Sequence, residues 1–248
     1  DGVTGAYFGS FGTFSGSVKS MSLDQATGRV MVFDPLVATV SQWDYSTGMR
    51  TRSFSSATGA TFYGYGYGGT ILAGTATTVD ILDGNSLQGV GGYAVAGGNP
   101  NSVVRWNGQY VTFGGGVQRN DANGNYLGGG SGFGAANAGV VANAPQGPAA
   151  IWAAPNATNG LLSFMSSNLG TGLGITFNSM LTGNIYLGSA HDGFYAVGKN
   201  PANTAVGRVA AYGFGLQSAR IVPFHSFGEN VIKDPVAIAT VVAPEPGT

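Results

Sequence analysis

The sequence predicts an all-β protein, a β-propeller of about six blades, and three observations carry that prediction. Apolar runs are short and bounded by Gly, Asn, Asp and Ser, the strand-and-turn pattern. Helical periodicity is nearly absent, because few windows of eleven residues escape a Gly or Pro breaker. A strand–turn–strand unit also recurs in the first half with a step near 40 residues, the length that several strands of one propeller blade require.

The units follow in chain order. The first is Arg29-Val30-Met31-Val32-Phe33, then Val40-Ser41-Gln42-Trp43-Asp44-Tyr45-Ser46-Thr47-Gly48. The second is Thr70-Ile71-Leu72-Ala73, then Val79-Asp80-Ile81-Leu82-Asp83-Gly84. The third is Gln109-Tyr110-Val111-Thr112-Phe113, then Val117-Gln118-Arg119-Asn120-Asp121-Ala122-Asn123-Gly124. Each closes on a turn in which an Asp or Asn side chain caps backbone N–H groups and a Gly supplies positive φ. Taken at Asp44, Asp83 and Asn120, those turns are 39 and 37 residues apart. In the second half strands are read at 149–153, 161–165, 175–177, 184–188, 193–197, 206–212 and 219–224, with a weaker turn signature. The small-residue stretch 135–148 reads as a connector, a long surface loop or an arm between subunits. Dividing 248 residues by the step gives about six blades, closed by pairing residues 6–14 with 236–242. A β-sandwich or a β-solenoid fits the same strand spacing.

The segment 24–54, with Gly28-Arg29-Val30 followed by Trp43-Asp44-Tyr45-Ser46-Thr47-Gly48, resembles the blades of NHL- and YVTN-type β-propellers. That resemblance implies a propeller body over residues 1–242, a single repeat domain.

Composition narrows the function. Charged residues are 8% against roughly 25% in ordinary soluble domains, while 43% are hydrophobic, so the chain has the means to fold. The 44 glycines follow no three-residue period, which excludes collagen. A net charge of −1 gives copies little reason to stay apart. Ten basic residues spread along the chain form no basic face, so nucleic acid is not an expected partner. No cysteine is present, which removes disulfides, zinc thiolates and a thiol nucleophile. No run of 18 apolar residues occurs, so no permanent membrane helix is expected in this form.

Candidate sites are few. His191-Asp192-Gly193 beside Ser189 is the adjacent His–acid pair, but neighbours on a strand point to opposite faces and a hairpin turn is the simpler reading. His225 and Glu229 suggest a base or ligand, yet the chain's two histidines allow no His-rich metal site. Asp121, Asn123 and Asn125 place oxygen-bearing side chains at alternate positions, like the opening of a calcium loop, with Asp80 and Asp83 weaker candidates. That loop lacks a downstream Glu and its Gly124 comes too early, so no cofactor is assigned. Tyr63, Tyr65 and Tyr67 alternate with glycines, which on a strand puts the rings on one face for a subunit or sugar contact. Trp43 and Trp106 are further stacking candidates. Gly114-Gly115-Gly116 and Gly128-Gly129-Gly130 read as turns, since neither precedes a helix or a P-loop lysine.

The chain ends in Val242-Ala243-Pro244-Glu245-Pro246-Gly247-Thr248. The Pro244-Glu245-Pro246 signature resembles the PEP-CTERM sorting signal of Gram-negative bacteria. The resemblance implies export, a transient membrane hold and processing by an exosortase. The apolar helix and Arg cluster that follow the signal in that family are missing here, so residues 243–248 read as its remnant. Asp1-Gly2-Val3 reads as a mature start. The expectation is therefore an exported, non-enzymatic structural protein of the cell surface or extracellular matrix, forming homo-oligomers or polymers such as a filament, sheath or sheet. A polysaccharide-binding propeller module, with exopolysaccharide as partner, is the alternative, and a secreted hydrolase the third.

Overall fold

The computed structural model describes residues 14, 18–131, 138–144, 147–153, 161–165, 175–178, 181–190, 193–214 and 221–227. Their strands form five four-stranded sheets, each an antiparallel meander whose spatial order is its chain order. The first sheet holds β1 (Ser20–Asp24), β2 (Arg29–Asp34), β3 (Thr39–Asp44) and β4 (Arg50–Ser55). The second holds β5 (Phe62–Tyr65), β6 (Ile71–Gly74), β7 (Thr78–Leu82) and β8 (Gly89–Ala94). The third holds β9 (Ser102–Trp106), β10 (Gln109–Phe113), β11 (Gly116–Asp121) and β12 (Tyr126–Ser131). The fourth is β13 (Ala138–Ala144), β14 (Gly147–Ala153), β15 (Leu161–Met165) and β16 (Ile175–Asn178). The fifth is β17 (Thr182–Ala190), β18 (Gly193–Asn200), β19 (Asn203–Phe214) and β20 (Ile221–Phe227).

The first strands pack on one another, β1 on β5, β5 on β9, β9 on β13 and β13 on β17. Fourth strands lie farthest from that line. This is the arrangement of a β-propeller, and it fits neither two stacked sheets nor a solenoid. The expected blade number is corrected: the described residues hold five sheets, not six. Sheets begin at residues 20, 62, 102, 138 and 182, steps of 42, 40, 36 and 44, so the repeat length holds. Dividing the whole chain by it also counted residues outside the described ones. Residues 6–13 and 236–242, invoked for closure, lie outside the described residues. Phe14 is in no strand, with its ring edge-on to Trp43 at 5.7 Å.

The core lies between consecutive sheets. Second strands are covered on both faces, which is why they read as unbroken apolar runs instead of alternating ones. Met31, Phe33 and Val40 pack against Tyr63, Ile71 and Ala73 of the next sheet. Val111, Phe113 and Val117 pack against Val141, Ala150 and Trp152. The inner strands are also tied by hydroxyls: Tyr63 N donates to Ser20 Oγ at 3.0 Å, which donates back to Tyr63 O at 3.1 Å. Tyr65 N donates to Ser22 Oγ at 3.2 Å, and Gly139 N to Ser102 Oγ at 3.1 Å.

Two glycines explain irregular positions. Phe33 faces Val40 and Phe113 faces Val117, but the matching partner of Val79 is Gly74. A Cβ at Gly74 would fall on the ring of Phe62, its opposite number on β5, which fills the space from across the pair. At Gly139 a Cβ would likewise strike the Phe113 ring. This second contact corrects the reading of 135–148 as a connector. Residues Ala138–Ala144 form the innermost strand β13, with Val140 and Val141 buried, and its small residues admit the neighbouring aromatic ring.

A β-bulge recurs in the outermost pair of the first three sheets. Register shifts between Gln42 and Trp43, Ile81 and Leu82, and Arg119 and Asn120 leave Thr51, Val90 and Leu127 as the extra residues. The Gly128-Gly129-Gly130 run belongs to strand β12, not to a turn.

Candidate functional site

Asp44 Oδ1 accepts from Ser46 Oγ at 2.7 Å, Ser46 N at 2.9 Å and Thr47 N at 2.9 Å. Asp83 Oδ1 accepts from Ser86 N at 2.7 Å, Ser86 Oγ at 2.9 Å and Asn85 N at 3.0 Å. These donors favour the ionised form. The Ser46 hydroxyl, with the Thr47 and Ser46 amides, pulls the Asp44 carboxyl down to about 2, and the Ser86 amide holds Asp83 below its ordinary range. In the third sheet the capping residue is Asp121, one position after the Asn120 taken from the sequence. Asn120 is buried and turns inward, with its Nδ2 donating to Gly124 O at 2.8 Å.

Asp121, Asn123 and Asn125 do come together, as a turn. Asp121 Oδ1 accepts from Asn125 N at 2.8 Å and Asn123 N at 2.9 Å, and Oδ2 from Asn125 Nδ2 at 2.7 Å. Both carboxylate oxygens therefore face N–H donors, and the Asn125 amide holds this carboxyl below its usual range. Asp80 Oδ1 accepts from Thr78 Oγ1 at 3.2 Å. Among the described residues no three His, Cys, Asp or Glu side chains gather where a cation would need them.

The tyrosine stripe is packed. Tyr63 is 2% exposed, its Oη accepts from Ala57 N at 2.7 Å, and its ring lies edge-on to Phe33 at 5.1 Å. Tyr67 is in a short 3-10 turn, Tyr67–Gly69, and its Oη donates to Gln109 O at 3.0 Å. Only Phe62–Tyr65 is strand, so the three rings do not form one open face. Burial pushes the Tyr65 phenol up to about 12, and its Oη has no hydrogen-bond partner among the described residues. Trp43 donates from Nε1 to Ser41 Oγ at 2.8 Å, with Arg50 over its ring at 5.9 Å. Trp106 packs against the Val111–Phe113 core.

Near Tyr65, one side chain joins three sheets. Arg105, on β9, donates from Nη2 to Asp24 Oδ1 of β1 at 3.2 Å and from Nη1 to Gly66 O, beyond β5, at 3.0 Å. Its guanidinium also lies over the Tyr67 ring at 6.0 Å. All three innermost strands end here, so the ion pair closes one end of their contact. Sequence reasoning missed it, since positions 81 residues apart meet only through the ring of sheets.

A second feature lies between the outer parts of the second and third sheets. A cleft of about 430 Å³ is lined by Tyr93, Ala94, Ala96, Gln118, Asn120 and Tyr126, among others. Gln118 reaches across it: its Oε1 accepts from Ala96 N at 2.8 Å, and its Nε2 donates to Ala94 O at 2.8 Å and to Asn120 Oδ1 at 2.8 Å. The side-chain amide thus pairs with the end of β8 as a further strand would. Tyr93 Oη and Thr112 Oγ1 are hydrogen-bonded at 2.8 Å on the buried wall, and burial raises the Tyr93 phenol. Tyr126, 63% exposed, stands at the mouth.

Other sequence candidates stay apart from these features. Ser189 is on β17, but His191 and Asp192 lie outside the described residues. His225 is on β20, paired with Ala211 of β19, and Glu229 lies outside, as do Pro244, Glu245 and Pro246.

No family model and no curated protein matches this chain. Solved structures share its fold. A chain of a crystal structure of a mitotic checkpoint complex superposes with a TM-score of 0.61 at 12% identity, covering 90% of this chain and 68% of that one. A chain of the hydrazine synthase of Kuenenia stuttgartiensis gives 0.56 at 13% identity, covering 79% and 64%. At such identities the likeness is one of fold alone.

Proposed function

We propose that the protein is an exported, non-enzymatic structural component of a bacterial cell surface or extracellular matrix, and that it self-associates through the rim of its propeller. One observation carries the reading: the outer strand β12 contains no charged residue and no proline and has no covering side chain among the described hydrogen bonds, and the bulges of β12 and β8 project Leu127 and Val90, 44% and 62% exposed. Charge is one of the devices that keep such edges from pairing, and in β12 only the bulge stands in for it. A net charge of −1 over 248 residues supplies little long-range repulsion in its place. The Pro244-Glu245-Pro246 signature supports the address, with an exosortase as a transient partner during export.

Sedimentation velocity and negative-stain images of the purified protein over a range of concentrations test this. Ordered oligomers or polymers are expected, and the Val90→Lys/Leu127→Lys variant is expected to disperse them. Native protein that stays monomeric at high concentration would refute the reading.

A further inference from the structure

We propose that the two ends of the chain, residues 6–14 and 236–242, together cover the free sides of the first and fifth sheets and so close the propeller. Among the described residues the inner strands pack in the order β1, β5, β9, β13 and β17, and no comparable packing joins β17 back to β1. Each of those two sheets therefore has one side without a packed neighbouring sheet. In the first, Met31 and Phe33 face the second sheet. Val30 and Val32 alternate with them and point to the other side, as do their β3 partners Trp43 and Ser41. In the fifth, Phe194 and Ala196 face the fourth sheet, and Val197, paired with Val209, points away.

Those sides are dry all the same. Val32 is 2% and Val197 3% exposed, and Val30 and Val209 are buried with them. A valine on the open side of a middle strand stays in contact with water, so both sides have a cover. On the first sheet the cover begins at Phe14, whose ring lies edge-on to Trp43 at 5.7 Å. That contact brings the chain ahead of β1 onto the side in question. The length fits as well: 19 residues precede Ser20 and 21 follow Phe227, together one step of the repeat. Neither segment carries a charge, and both are apolar enough to be buried, the first with Tyr7, Phe8 and Phe11, the second with Val236, Ile238 and Val241. A seam made from both ends cannot form before the residues just ahead of Pro244 have been made, so the closed body and the signature arrive together. The inference stands apart from self-association, which rests on Val90 and Leu127.

Hydrogen exchange read by mass spectrometry, on native protein and on the Val90→Lys/Leu127→Lys form, tests it. Residues 6–14 and 236–242 are expected to exchange at least about tenfold more slowly than free peptides of the same sequence, alike in both forms and at every concentration. Ile238→Ser is expected to speed exchange about tenfold at 6–14 and at Val30 and Val32, at the other end of the chain, while the β10–β11 pair is unchanged. The measurement without that substitution decides even where Ile238→Ser unfolds the whole protein. Exchange of either segment at the free-peptide rate would overturn the proposal. So would protection that rises with concentration, which would make a second copy the cover, or a folded Ile238→Ser protein with 6–14 still protected, which would mean that the ends act separately.

Discussion

Adding one methyl group at Gly74 tests how the second sheet fills its core. In the first and third sheets a phenylalanine, Phe33 or Phe113, faces the buried valine of the next strand. In the second that place is Gly74, and Phe62 occupies the volume from the other side. Phe62 is 3% exposed, so its ring has little room to withdraw. Gly74→Ala is expected to cost about 1–3 kcal/mol by overpacking. The Gly→Ala gain of about 0.4–1 kcal/mol through the unfolded chain offsets only part of that. Phe62→Ala alone removes a buried ring and is expected to cost about 3–5 kcal/mol. In the double variant the new methyl group enters the space the ring has left, so the clash with Phe62 disappears and only the approach to Thr61 Oγ1, 2.7 Å from the new Cβ, remains. The two costs should then fall short of additivity by about 1–3 kcal/mol. Urea unfolding read by fluorescence and circular dichroism measures all four corners of the cycle, with an unchanged m-value as the check on comparability. Costs that add to within about 0.5 kcal/mol would show that Gly74 and Phe62 do not share the space.

Two further predictions concern charged groups. Because the folded Asp44 carboxyl titrates at about 2 instead of 3.8, its contribution to stability is present above the unfolded value and is lost as pH falls through about 2. Asp44→Asn should flatten the stability profile in that window, and an NMR titration midpoint near 3.8 in the native protein would contradict the turn geometry. Arg105→Met should cost about 2 kcal/mol by leaving Asp24 Oδ1 and Gly66 O without their donor, while Asp24 Oδ2 keeps the Thr27 hydroxyl, and adding Asp24→Asn should recover part of it. Chemical denaturation measures both, and a loss for Arg105→Met below about 0.5 kcal/mol would make the pair an ordinary surface contact.

Much of the fold was legible because second strands are buried on both faces and their turns carry an Asp cap. Val30 to Phe33, Ile71 to Ala73 and Tyr110 to Phe113 announce themselves as apolar runs. The fourth inner strand does not. Ala138–Ala144 is largely small residues because it admits the Phe113 ring of the neighbouring sheet at Gly139, and by composition it reads as a connector. The misplaced third turn has a similar local cause. The caps are Asp44, Asp83 and Asp121, but the bond from the cap's N–H spans five residues in the first two turns, to Met49 O and Gln88 O, and four in the third, to Asn125 O. The shorter third turn brings the outer-strand bulges to 51, 90 and 127, steps of 39 and 37, so spacing alone could not tell cap from bulge. Of the candidate site, the Asp caps were visible in sequence. The Arg105–Asp24 pair and the Gln118–Asn120 chain were not, because each joins separate sheets or reaches a strand end that only the fold defines.

The outer strands show how a weakly charged protein treats its edges. Edge strands are kept from pairing by charge, proline, a bulge or a cover. Strand β4 uses charge, with Arg50 and Arg52, and Arg52 also donates to Gly84 O and to Asn85 O at 2.8 Å, tying the first sheet to the second. Strand β8 is without charge, but Gln118 caps its end, and the Gly124 turn lies against Gly92 so closely that a Cβ at Gly124 would stand 2.9 Å from Gly92 O. Strand β12 has neither arginines nor an equivalent cap among the described hydrogen bonds, only its bulge at Leu127 and a run of glycines. The three edges thus grade from charged, to covered, to bulged alone. If the rim joins copies together, β12 is where, of these three edges, contact costs least, because fewest groups there must be moved or desolvated before backbone and apolar side chains can meet.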